Sequence, residues 1–381
     1  MSKPISALIH AKLIIDNSFV ENKVLLFDTH IIAIIDEMCL NASDDIHIID
    51  AKGAYVSAGF IDLHIHGSGG ADVMDASFEA LEVISSILPS TGTTSFLATT
   101  MTMSDQKIKN ALHAIKKNKS KVSGAHIIGI HLEGPFLNPK KHGAQDKVYI
   151  QKPNLSLILD YMDDIRMITL APEVAGSKSF IQTLVKEYPH ILLSIGHSEA
   201  SYEESVKSFE WGISHATHLF NAMNPYHHRE PGIVGAVFDS DVSCDIIADL
   251  IHTHQSTLSL VHQMKKEKLI LITDAMRAGC MKCGRYTLGG QQVEVFEGKA
   301  LLKDGTLAGS VLQMNEALGH MLRHTSMTLI EAIHSVTKIP AQKLDIKKGE
   351  LKVGFDADIV IFDEELTILS TFVAGEKKYH R

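Results

Sequence analysis

Two β-rich ends enclose a middle that alternates short apolar runs with amphipathic stretches. Together they predict an α/β protein: a (β/α)8 TIM-type barrel with a small β-sandwich formed by both termini. A second observation points the same way. Imidazole and carboxylate side chains stand at the ends of the apolar runs, and barrel enzymes carry their chemistry at the carboxyl ends of their strands. At 381 residues there is room for one large barrel and an accessory unit. The sandwich is expected over 1–55 plus 345–381 and the barrel over 56–344.

Residues 7–10, 23–27, 30–35 and 47–50 are rich in Ile, Leu and Val without a helical period, so each reads as a strand. Near the other end, 349–362 reads as strand, tight turn and strand, followed by 370–375. Chain ends tend to meet at a domain surface, which brings these strands into one sheet unit. Between them, eight apolar runs end near His64 and His66, at Thr99, Glu133, Glu173 and His197, at 215–218, at Asp249 and at Asp274. Amphipathic stretches at 78–88, 106–115, 180–185 and 257–264 lie between several of the runs and read as helices.

Composition excludes other classes. Hydrophobic residues at 45% and charged residues at 21% are ordinary for a soluble globular chain. A net charge of -9 argues against nucleic acid as a partner, which calls for a basic face. The lysine-rich 116–121 reads as a solvated helix end. Met1-Ser2-Lys3-Pro4-Ile5 has no apolar stretch behind it, so no signal peptide is expected. No window approaches the ~20 apolar residues of a membrane helix. Four cysteines make no disulfide framework in a chain of this size, and a reducing cytoplasm is expected. Cys280-Met281-Lys282-Cys283 lacks a second pair and precedes a glycine-rich hairpin, so it reads as two free thiols in a loop.

The chemistry rests on the run ends. His64 and His66 are two apart on a strand, so both imidazoles project from one face toward one ion. Glu133 leaves a buried run straight into Gly134-Pro135, and a buried anion needs a metal, an arginine or several N–H donors. His197 and His218 occupy equivalent exits from later runs. Imidazole and carboxylate together suit zinc, iron or another divalent transition metal. Water on such a metal is acidified toward a nucleophile at neutral pH, which points to a hydrolase. Asp274 opens the loop after the eighth run, where a carboxylate can take a proton from water and hand it to a leaving amine. The plainer alternative for Asp274 is a loop or helix cap. In the polar, aromatic loop 221–232, Arg229 either grips a phosphate or carboxylate bidentately or forms a surface ion pair.

Several segments carry a resemblance: Gly59-Phe60-Ile61-Asp62-Leu63-His64-Ile65-His66-Gly67, His131-Leu132-Glu133-Gly134-Pro135-Phe136, Gly196-His197-Ser198, Ala216-Thr217-His218-Leu219-Phe220-Asn221-Ala222-Met223, Arg229-Glu230-Pro231-Gly232, Asp249-Leu250-Ile251-His252 and Thr273-Asp274-Ala275. With these the chain resembles the amidohydrolase superfamily, and more closely its N-acetylglucosamine-6-phosphate deacetylase family, over nearly its whole length. The resemblance implies deacetylation of N-acetyl-D-glucosamine 6-phosphate to D-glucosamine 6-phosphate and acetate, in amino-sugar catabolism. By position it implies that Glu133, His197 and His218 hold the main divalent metal, zinc first, with iron, cobalt or manganese as alternatives. His64 and His66 leave room for a second ion, and Asp274 is the implied acid/base. Ala144, Gln145, Asn221, Ala222, His252, Leu307, Ala308 and Gly309 would line the sugar-phosphate pocket. Arg229 would reach the phosphate of the neighbouring subunit in a homodimer. Gln145 stands where some relatives carry a histidine that polarises the acyl carbonyl; it can donate a hydrogen bond but has no charge.

Three rival readings remain at this stage. One is the same chemistry on the epimer N-acetylgalactosamine 6-phosphate. Another is hydrolysis of cyclic amides, although many such enzymes bridge their metals with a carboxylated lysine where this chain has Glu133. The third is a catalytically silent sugar-phosphate-binding regulator, against which Asp274 beside an intact ligand set argues.

Overall fold

The computed structural model describes residues 4–41 and 46–381, so the first three residues of the N-terminal segment lie outside it. The eight apolar runs form one parallel sheet in which each strand bonds to the next in chain order. They are β1 (Phe60–Ile65), β2 (Thr93–Thr100), β3 (His126–Glu133), β4 (Ile165–Leu170), β5 (Leu192–Ile195), β6 (His215–Ala216), β7 (Ser243–Ile247) and β8 (Leu269–Ile272). The sheet closes just past β8, where the Asp274 N–H donates to the His64 carbonyl at 2.8 Å and the His66 N–H to the Ala275 carbonyl at 2.9 Å. The expected barrel is therefore present. Strands covered on both faces need apolar side chains on both, so runs rather than alternation mark them; all four residues of β8 are buried.

Helices Phe78–Ile87, Asp105–Asn118, Ser177–Glu187 and Gln255–Lys265 correspond to the four amphipathic stretches. Asp105–Asn118 turns Ile108, Ala111, Leu112 and Ile115 inward and ends on Lys116 and Lys117. The basic run is thus a helix end, with Lys119 Nζ 2.9 Å from Asp164. Helices Tyr202–Trp211, Met314–His324 and Leu329–Val336 belong to the same layer. Among the described residues, no helix is long and apolar enough to cross a membrane.

Both termini feed a sheet-rich unit beside the barrel. Strands Ile5–Ile9, Lys23–Phe27, Ile31–Asp36 and Ile46–Asp50 make one sheet. The second combines Lys12–Ile15, Ser18–Val20 and Tyr55–Ala58 with Ile359–Phe362, Ile368–Val373 and Glu376–His380. Its central strand shows why the sequence reads Ile-Val-Ile-Phe. Ile359 and Ile361 pack between the two sheets, whereas Val360 and Phe362 pack against the barrel, as side chains alternating across a doubly covered strand must.

The fold departs in places from what the sequence predicts. Residues 349–353 form a turn, not a strand: the Lys352 N–H donates to Glu350 O at 3.0 Å. Gly349 and Gly354 bracket the segment with φ of +77° and +82°, left-handed backbone that interrupts pairing. Strands Lys12–Ile15, Ser18–Val20, Tyr55–Ala58 and Glu376–His380 were not anticipated, being short and mixed in polarity. Cys280 and Cys283 are unpaired and precede the hairpin of Gly284–Leu288 and Gln291–Phe296, as expected.

Candidate metal centre

The side chains that the sequence singles out meet at one end of the barrel. His64 and Glu133 come from the last residues of β1 and β3, and His66 follows β1 directly. His197, His218 and Asp274 each lie two residues beyond β5, β6 and β8. These last three adopt positive φ, 47°, 33° and 47° respectively. A residue with a Cβ enters this region at a cost of roughly 1–3 kcal/mol, and such strain collects at functional sites. The effect is to break the strand's alternation and turn each side chain inward over the barrel mouth.

Around Glu133 the distances are short. Its Oε1 lies 3.1 Å from both His197 Nε2 and His218 Nε2, and those two nitrogens are 3.1 Å apart. On the other side, His64 Nε2 and His66 Nε2 are 3.2 Å apart, and Glu133 Oε2 is 3.3 Å from His66 Nε2. Asp274 Oδ1 lies 3.5 Å from His64 Nε2 and 3.4 Å from His66 Nε2. All of these side chains are buried.

A layer of partners behind them sets their orientation. His197 Nδ1 is 2.8 Å from Lys141 O, and His66 Nδ1 is 3.2 Å from Thr99 O. A carbonyl can only accept, so Nδ1 carries a proton in both rings and Nε2 is left facing the site, able to offer its lone pair when the ring is neutral. Asp62 accepts from Thr273 Oγ1 at 2.5 Å and from the His64 N–H at 3.2 Å, joining β1 to the end of β8. Asp245 accepts from the His218 N–H and lies 2.9 Å from His215 Nε2. Glu173 holds the turn after His197 by accepting from Ser198 Oγ at 2.7 Å and from the Glu199 N–H at 2.7 Å.

Electrostatically the centre seeks positive charge. Burial pushes the Glu133 carboxyl up, but the surrounding imidazoles outweigh it and hold it well below the usual range. Burial likewise pulls His66 down, yet Asp274 and Glu133 raise it well above an ordinary imidazole. His218, opposed by burial but bonded to Glu133, is raised to about 9. His131, fully buried behind His64, is held well below its ordinary value, first by burial and then by the charge of His64.

These residues fit a divalent transition metal. Lone pairs on Nε2 facing carboxylate oxygens repel unless a proton or a cation lies between them. Arms of about 2.0–2.1 Å around a tetrahedral ion put neighbouring ligand atoms roughly 3.3 Å apart, close to the 3.1 Å separations among Glu133, His197 and His218. The ligand atoms of those three lie close enough to hold one ion, as do those of His64, His66 and Glu133.

Beside this centre lies a cavity of about 330 Å³. Ala144, Gln145, Asn221, Ala222, His252, Leu307 and Gly309 line it with His66, Glu133, His197, His218 and Asp274. Asn221 Nδ2 is buried with no hydrogen-bond partner among the described residues. His252 is oriented by Asp249, whose Oδ2 is 2.7 Å from its Nδ1. Ala308 is fully buried behind the lining. Arg229 lies away from the cavity of its own chain, on an exposed loop, with Nη1 2.7 Å from His228 Nε2. The supporting carboxylates Asp245 and Glu173 were not singled out from the sequence. Asp245 had a visible signal, a charge inside the apolar run Ser-Cys-Asp-Ile-Ile; Glu173 had none beyond its place at a run end.

An eight-stranded parallel barrel with imidazoles and carboxylates at its strand exits defines a metal-centred hydrolase of the barrel type. The chain belongs to the amidohydrolase family, which matches residues 55–379. It is similar to the N-acetylglucosamine-6-phosphate deacetylase of Lysinibacillus sphaericus, 42% identical over 335 residues covering 86% of each chain. It is 43% identical over 329 residues to the enzyme of that name from Bacillus subtilis (strain 168), covering 83% of each. Among solved structures, N-acetylglucosamine-6-phosphate deacetylase from Pasteurella multocida superposes with a TM-score of 0.93 at 31% identity, covering 98% of this chain and 99% of that one. A mutant of the Mycobacterium smegmatis enzyme in complex with N-acetyl-D-glucosamine-6-phosphate superposes with a TM-score of 0.89 at 27% identity, covering 99% and 100%.

Proposed function

We propose that the protein hydrolyses the acetamido bond of N-acetyl-D-glucosamine 6-phosphate, yielding D-glucosamine 6-phosphate and acetate in amino-sugar catabolism. The reading is carried by the convergence of Glu133, His197 and His218, with Asp274 beside them, in the mouth of a barrel. Relatives that share over two-fifths of their aligned residues with this chain bear the name of that activity.

Glu133, His197 and His218 would hold the main ion, zinc by preference, with iron, cobalt or manganese able to substitute; His64 and His66 would hold a second. Such an ion supplies Lewis acidity and lowers the pKa of water. Asp274, kept ionised because the imidazoles of His64 and His66 outweigh the effect of burial, takes the proton of the attacking water. It then delivers that proton to the sugar nitrogen as the C–N bond breaks, leaving a free amine and acetate. The buried Nδ2 of Asn221, without a partner among the described residues, offers a donor to a sugar or phosphate oxygen. Ala222, Ala144, Gln145, His252, Leu307, Ala308 and Gly309 would shape the rest of that subsite. Arg229, exposed in its own subunit, would reach the neighbouring subunit's phosphate in a homodimer. The domain division we propose is a sandwich over 1–55 plus 345–381 and a barrel over 56–344, with the sandwich strand Tyr55–Ala58 crossing that boundary. A cytoplasmic location is consistent with four unpaired cysteines.

The test is acetate release from the gluco and galacto N-acetylamino-sugar 6-phosphates, with metal content measured on the same sample. Acetate from the gluco compound by a metal-loaded protein is expected. Ligand binding with no acetate from either epimer would return the reading to a silent sugar-phosphate binder.

A further inference from the structure

We propose that Gln145 is a positioning residue that holds the Glu133 carboxylate in its metal-binding orientation, and that it is not a donor to the substrate's acyl oxygen. The inference rests on the metal reading given above. Gln145 lies in the loop after β3, which is folded back on itself by the Gln145 N–H donating to His142 O at 2.8 Å. Gln291 Nε2 donates to Ala144 O at 2.7 Å and ties the loop to the hairpin. The Gln145 side chain is buried, with the residue only 3% exposed.

The amide has one way to face. Its Oε1 accepts the Thr102 N–H at 2.6 Å, and a backbone N–H cannot face an NH2 group. Nε2 is thereby turned onto Glu133 Oε2 at 2.6 Å, and it also lies 3.6 Å from Met101 Sδ. Both amide hydrogens are thus engaged within the protein. A bond to an ionised carboxylate is roughly twice as strong as one to a neutral acceptor, so a neutral acyl oxygen competes poorly for it.

On Glu133 the consequence is geometric. The terminal torsion of a glutamate is broad and about two-fold, so an untethered carboxylate rotates readily. With Oε2 held by Gln145, Oε1 stays 3.1 Å from His197 Nε2 and His218 Nε2. An outer partner of this kind commonly accounts for roughly 10–100-fold in metal affinity.

The experiment compares the full-length native protein with Gln145→Met, similar in length but with no donor, and Gln145→His, whose Nε2–H restores one. Zinc affinity is measured by chelator competition, alongside KM and kcat per bound zinc. Gln145→Met is expected to weaken zinc by roughly 10–100-fold, the loss showing in zinc affinity ahead of any change in KM, with most of the affinity recovered in Gln145→His. Should Gln145→Met fold poorly, judged by the melting temperature of its metal-free form, Gln145→Leu reads the same loss. Native zinc affinity in the donorless variant, with kcat per zinc reduced, overturns the assignment and returns Gln145 to the substrate. Equal zinc loss in Gln145→His also overturns it, because a donor must recover what a donor supplied. Absence of zinc binding in the native protein overturns the metal reading itself, and this assignment with it.

Discussion

The backbone N–H of Asp274 donates to the carbonyl oxygen of His64 at 2.8 Å. This hydrogen bond closes the barrel and also fixes the proposed acid/base beside the first histidine of the candidate metal centre. Because it joins main chain to main chain, substitution of the Asp274 side chain leaves it in place.

Asp274→Asn is therefore expected to fold and to keep its metal while losing turnover by roughly 10²–10⁴-fold, the usual share of a positioned acid/base. Elemental analysis and acetate release on one sample check both halves. Near-native turnover would remove Asp274 from proton transfer.

Stability of the metal-free protein should fall as pH rises through neutrality. His218 is raised from its unfolded value of 6.5 to about 9, burial opposing and Glu133 outweighing it. The stabilisation from its protonated form is thus fully present below pH 6.5 and lost as pH rises toward 9. Metal binding needs the neutral ligand, so the gain in melting temperature on adding zinc should widen over the same window. Thermal melts of chelated and reloaded protein test this; a gain independent of pH would argue against His218 as a ligand.

Lys348 sits where the sheet-rich unit meets the base of the barrel, its Nζ 3.4 Å from Nδ1 of His126 at the start of β3. Its Nζ lies 2.6 Å from Asp358 and 2.7 Å from Asp356, and Asp358 also accepts from Ser95 Oγ of β2 at 3.4 Å. Removing one partner strands a buried charge, so Lys348→Met should cost about 3–5 kcal/mol. Denaturant melts would read the loss, while kcat of the remaining folded enzyme should be unchanged because the pair lies at the opposite end from the metal centre. A variant as stable as the native protein would refute the latch.

The cysteines should separate by burial. Cys244, inside β7, has its thiol pushed up to about 12, chiefly by burial; Cys39 and Cys283 are exposed. At pH 8, iodoacetamide should label Cys39 and Cys283 and spare Cys244 until the protein is unfolded, as peptide mapping can verify. Rapid labelling of Cys244 in the folded protein would mean that β7 opens.

How far the site could be read in the chain depended on which signals were local. Each barrel strand is covered on both faces, so it had to be a continuous apolar run, and a histidine or carboxylate at its exit stood out against that background. His64, His66, Glu133, His197, His218 and Asp274 were legible for this reason. Lys12–Ile15 and Ser18–Val20 were not, because a short strand of mixed polarity has neither length nor period to mark it.

The order of the barrel strands and the side chains that leave them were written in the chain, since burial acts on each residue where it stands. What those side chains touch emerges from the folded barrel alone. Glu133 meets Gln145, His197 and His218 across 12, 64 and 85 residues of chain, and no local pattern encodes a separation of that kind. The left-handed turns at His197, His218 and Asp274 belong to the same class. They are conformations that isolated residues avoid, held here because the packed barrel and its hydrogen bonds outweigh their strain.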